Sequence, residues 1–135
     1  MLLAGSLSLP AQISENVDLL YNDFDTSLPS NNGDAYNDVW GFVQDGREYG
    51  VIGSTAGTHI FDVTDVNNVV EVDFIPGAYQ GGNVVHRDYH DYQNYLYIVC
   101  DEGNSTLQIA DLSYLPDSVH MVYDSDALFK RSHNI

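Results

Sequence analysis

His86-Arg-Asp-Tyr-His90 is the densest run of chemically versatile side chains in this sequence. In an extended strand, residues 86, 88 and 90 project to one face. Two imidazoles and a carboxylate, His86, Asp88 and His90, then stand together. Nitrogen and oxygen donors of this kind suit zinc or another first-row divalent cation. Successive side chains on one strand face splay apart, so the same three residues also fit a purely structural role as hydrogen-bonding groups at a strand end. A further histidine, His133, lies 47 residues after His86, and Asp38 occupies a comparable place earlier in the chain. His86, His133 and Asp38 are therefore candidates to line one mouth of a channel, where they would hold a cation or a polar ligand.

Other chemistries find little support. Cys100 is the single cysteine. It sits in the apolar run Tyr95-Leu-Tyr-Ile-Val-Cys, which suits a buried small residue better than a nucleophile. No phosphate-binding Gly-Lys loop, dinucleotide fingerprint or Gly-x-Ser-x-Gly elbow occurs. No catalytic residue is assigned. Twenty acidic residues against four basic ones give a formal net charge of −16. That balance excludes nucleic acid, which demands a basic footprint, and disfavours an anionic membrane surface.

The elements that would position these residues form a repeat. Tyr49-Gly-Val-Ile-Gly-Ser and the following Thr58-His-Ile-Phe-Asp62-Val-Thr return as Tyr97-Ile-Val-Cys and Leu107-Gln-Ile-Ala-Asp111-Leu-Ser. The spacing of about 48 residues matches one β-propeller blade. Tyr49, Tyr97, Asp62, Asp111 and Trp40 are read as structural positions of the repeat. A carboxylate that recurs after an apolar strand and before Thr or Ser accepts backbone N–H groups and closes a turn.

Short β-rich segments at 8–12-residue spacing, with no helical pattern of normal length, predict an all-β chain. A sandwich is the alternative architecture; the repeat favours a partial β-propeller of two four-stranded blades plus the start of a third. Residues 1–12 read as a signal-peptide remnant, too short to span a membrane. Residues 13–36 form a leader strand and loop, with alternation at Val17, Leu19 and Tyr21. Residues 37–82 are the first blade, 83–131 the second, and 132–135 the truncated start of a third. Propellers usually need about 4–8 blades, so two predict a fragment of a longer protein or a piece that must associate.

Asn37-Asp-Val-Trp-Gly-Phe, Gly57-Thr-His-Ile-Phe-Asp-Val-Thr-Asp, His86-Arg-Asp, Leu107-Gln-Ile-Ala-Asp-Leu-Ser and Arg131-Ser-His-Asn-Ile, in that order, resemble the choice-of-anchor B family with its LVIVD-type repeats. Val66 stands where that family's repeat usually carries proline. The resemblance covers about residues 17–135 and implies an exported, surface-associated bacterial β-propeller. It transfers no catalytic residue. The expected function is a non-enzymatic extracellular or cell-surface module for binding or adhesion. Its expected partner is an extracellular protein, a glycan, or the remainder of its own propeller. The alternative is an exported hydrolase or metal-dependent enzyme using the His/Asp cluster.

Overall fold

The structure, a computed structural model, describes residues 18–22, 24–30 and 33–135. The expected signal-peptide remnant, and Val17 of the leader, lie outside the described residues. Eight strands follow in chain order: β1 (Tyr36–Gln44), β2 (Arg47–Ser54), β3 (Gly57–Asp62), β4 (Val70–Pro76), β5 (Arg87–Tyr92), β6 (Tyr95–Cys100), β7 (Leu107–Asp111) and β8 (His120–Ser125). They form two open antiparallel meanders, β1-β2-β3-β4 and β5-β6-β7-β8. No helix occurs among the described residues, so the all-β expectation holds.

Local chemistry explains the hairpins. Asp45 and Gly46 both take positive φ, 50° and 77°, between β1 and β2. Two such residues give the turn whose twist matches that of the flanking strands. Gln93 and Asn94 adopt the same geometry, at 49° and 65°, between β5 and β6. Gln93 takes this φ although it is neither glycine nor asparagine, with Asn94 as the second residue of the turn. The leader strand expected around Leu19 and Tyr21 does not form: residues 18–22 are non-strand and Leu19 is 81% exposed. Alternation alone does not make a strand where no neighbouring strand takes up its hydrogen bonds. The first strand of the second sheet starts later than the second blade expected from residue 83. Residues 83–86 precede it, and the Val84 N–H closes a turn onto the Gly81 carbonyl.

Cross-strand rows show which face is which. In the first sheet, Trp40–Val51–Ile60–Asp73 form one row facing the second sheet. Val39–Ile52–His59–Phe74 form the neighbouring row on the opposite face. The shared core holds Val51, Ile60 and Ile75 from the first sheet and Tyr89, Leu96, Ile98 and Ala110 from the second, with Leu112 and Val119 beside them. Each Val, Leu or Ile among them contributes roughly 1.5–3 kcal/mol on burial. The sheets approach most closely at β1 and β5.

Arg87 crosses this seam. It is 3% exposed, and its guanidinium donates to the Ser54 carbonyl at 2.8 Å and the Tyr79 carbonyl at 2.9 Å. It lies so close over Gly77 that a Cβ there would fall 2.3 Å from its Nη2. The sheets are also tied by Trp40 Nε1 donating to Asp91 Oδ1 at 2.9 Å and Gln44 donating to the Leu112 carbonyl at 2.7 Å.

The repeat is imperfect in one respect. Counting from the first hairpin turn of each sheet, Tyr97 is the equivalent of Tyr49 and Tyr95 that of Arg47. Asp62 stands opposite Tyr49, whereas Asp111 stands opposite Tyr95. The third strand has slid by two residues relative to the second. Both sheets nonetheless carry an irregularity at the same point of the third strand, between Ile60 and Phe61 and between Ile109 and Ala110.

Candidate functional site

The β5–β6 hairpin places Arg87 opposite Cys100. One step beyond the ladder, His86 meets the loop that begins at Asp101, and the Asp101 N–H donates to the His86 carbonyl at 3.2 Å. Residues 132–135 then return alongside. The Ser132 N–H donates to the Cys100 carbonyl at 3.2 Å, and the Ile135 N–H to Asp88 Oδ2 at 2.7 Å. Three separate segments thereby bring His86, Asp101 and His133 together. One donor atom from each lies within 4.8 Å of the other two. The two imidazoles are 4.9 Å apart, centroid to centroid.

Carboxylates flank both rings. His86 Nδ1 is 2.8 Å from Glu102 Oε1, and His133 Nδ1 is 3.1 Å from Asp101 Oδ2. Glu102 Oε2 also accepts the His86 backbone N–H at 3.2 Å. The site is open: the side chains of His86 and His133 are 50% and 60% exposed. Two imidazoles and a carboxylate at this spacing have the donor chemistry of a divalent-cation site.

The remaining expected residues fall elsewhere. Asp88 and His90 share the strand face with His86 but have other partners. Asp88 receives the Ile135 N–H, and it adjoins Asp38, whose carboxyl is lifted above its ordinary value by burial and then by the Asp88 charge, with the Val39 N–H opposing. His90 Nδ1 bonds the Asp91 carbonyl at 2.8 Å, and its ring lies 4.9 Å from that of Trp40. The grouping His86, Asp88, His90 is thus replaced by His86, His133, Asp101, because strand-face neighbours diverge while the hairpin end converges. Tyr49 stacks on Phe42 with centroids 5.2 Å apart. Tyr97 lies on the face of the second sheet turned away from the first, beside His90 and Ile109.

Asp62 and Asp111 close turns. Asp62 accepts the Thr64 N–H at 3.0 Å and Arg47 Nε at 2.7 Å. Burial pushes its carboxyl up, and the Thr64 and Arg47 bonds outweigh that and hold it below the ordinary value. Asp111 accepts the Ser113 N–H at 2.9 Å and the Ser113 hydroxyl at 2.6 Å. Cys100 is buried, and burial pushes its thiol pKa up, away from nucleophilic use.

A second concavity lies on the outward face of the first sheet. This cleft of about 720 Å3 is lined by Tyr21, Tyr36, Val39, Ile52, Phe61 and Val69, with Asp25, Asp38 and Glu71 among its polar groups. His59 in its wall is fully engaged, with Nδ1 2.7 Å from Glu71 and Nε2 2.9 Å from Ser54 Oγ. Sequence reasoning passed over this cleft, Asp101, Glu102 and the buried Arg87.

No family model matches the chain, and neither a curated protein nor a solved structure matches it. Among the described residues no helix is long and apolar enough to cross a membrane.

Proposed function

We propose that this chain is a binding module of an exported β-propeller, two blades of a larger closed assembly, and that it works by presenting surfaces rather than by catalysis. The observation that carries this reading is the apolar outward face of the first sheet. Val39 and Val43 are 63% and 69% exposed there, beside Ile52 and Phe61 in the cleft wall. A sheet face of this kind calls for another layer over it. Close approach of the two first strands, β1 and β5, with the remaining strands leading away from them, is the relation that neighbouring blades have around a central axis. The resemblance to the choice-of-anchor B repeats agrees with it and supplies the bacterial cell-surface setting. The further blades are the first partner on this reading, and an extracellular protein or glycan the second. The acidic surface keeps such an assembly soluble.

Light scattering of the 135-residue chain in metal-free buffer tests the proposal. Concentration-dependent association, together with binding of an apolar dye to the open faces, is expected. A compact monomer at every concentration that binds no dye would overturn it.

A further inference from the structure

We propose that His86, Asp101 and His133 form a zinc-type metal site, with Glu102 orienting the His86 ring. Three observations carry it. The donor set is two imidazoles and a carboxylate, which selects borderline first-row cations over calcium and magnesium. The donors already converge to within 4.8 Å of one another without an ion. Ligands of a tetrahedral zinc at about 2.1 Å stand roughly 3.4 Å apart, so half-exposed side chains need move only by a fraction of their own length. The third observation is the flanking carboxylate. Glu102 Oε1 at 2.8 Å from His86 Nδ1 fixes which nitrogen points away from it. That is the outer-shell arrangement by which carboxylates orient metal-bound histidines. His133 exchanges its hydrogen bond with Asp101 for a shared ion, and water completes the shell.

The site has a structural consequence. His86 enters β5, Asp101 leaves β6, and His133 belongs to the segment running back across both. An ion at this point fastens residues 132–135 to the second sheet, where three hydrogen bonds now hold them. Metal uptake is thereby coupled to the order of that segment.

Calorimetric titration of the full chain with zinc chloride tests the proposal, with a large excess of magnesium present to occupy the acidic surface. Saturable binding of one zinc per chain is expected. His86→Ala, His133→Ala and Asp101→Asn should each weaken it at least tenfold, and His120→Ala should leave it unchanged. His133→Ala touches only an exposed side chain, and its circular dichroism is expected to match the parent, so loss of zinc there reads the ligand itself. Absence of one-to-one binding, displacement by magnesium, or unchanged affinity in both histidine variants would overturn the site. None of these results depends on the propeller reading, which is tested without metal.

Discussion

Replacing Arg87 by methionine isolates what the buried guanidinium does between the sheets. The wild-type side chain makes two short bonds to carbonyls, 2.8 Å to Ser54 and 2.9 Å to Tyr79. Hydrogen bonds from a charged donor contribute about 1.5–3 kcal/mol each, so the pair is worth about 3–6 kcal/mol. Against that stands the cost of holding a guanidinium out of water, which methionine removes. Methionine also keeps much of the apolar stem that packs along the seam. It leaves the two carbonyls without this donor, however, and each carries a desolvation penalty. The balance is a net loss of about 2–4 kcal/mol. With a urea m-value of about 2 kcal/mol/M, the midpoint should fall by roughly 1–2 M. Tryptophan emission is a suitable signal, since Trp40 lies at the same seam. Arg47→Ala, which removes a half-exposed guanidinium and leaves Asp62 its Thr64 bond, should shift the midpoint less. A change in Arg87→Met below about 0.5 kcal/mol, or a gain in stability, would refute the reasoning. It would mean that guanidinium desolvation equals or exceeds the worth of its two bonds.

Two further outcomes follow from the packing and the carboxylates. Ile60→Ala empties a fully buried position between the sheets and should cost about 2–5 kcal/mol in urea unfolding; Val39→Ala, on the open face, should fall within about 0.5 kcal/mol. The Asp62 carboxyl is held below its ordinary value in the folded chain, so its contribution to stability is present above the unfolded pKa of 3.8 and is lost as pH falls through the folded value. Asp62→Asn should therefore be less stable than wild type at neutral pH, and the gap should narrow on acidification below about pH 4. A gap that is constant with pH would show that the Thr64 and Arg47 bonds do not act through the charge.

Strand identity was legible in the sequence because period-two alternation and the Asp45-Gly46 turn are local signals. The turn-closing roles of Asp62 and Asp111 were legible for the same reason, since each carboxylate bonds a backbone group two residues ahead. Convergence of His86 with His133 was visible only through the repeat, which phases the two residues one unit apart. Asp101 was recoverable by arithmetic: positions 86 and 101 are symmetric about a turn at 93–94. The arithmetic needs only that turn as its origin, from which the pairing counts outward to both residues. Arg87 was assigned no role, because a lone cation gives no sign of burial. Its acceptors are carbonyls on two distant segments, and no pattern of side chains announces them. The leader failed for the opposite reason, since alternation was present at Leu19 and Tyr21 but hydrogen-bonding partners were not.

The two-residue slide between the sheets bears on how this chain tolerates change in length. Strand side chains alternate, so a slide of two moves a residue by about 6.8 Å along its neighbour yet returns it to the same face. A slide of one would have sent Ile109 and Asp111 to the core side and Ala110 to the open side. Tyr49 to Asp62 spans 13 positions and Tyr97 to Asp111 spans 14, so the connection from β6 to β7 has taken up an odd change in length while the strand faces were kept. Drift of the pairing register is then quantised in twos, while the loop that joins the strands absorbs a change in length of either parity.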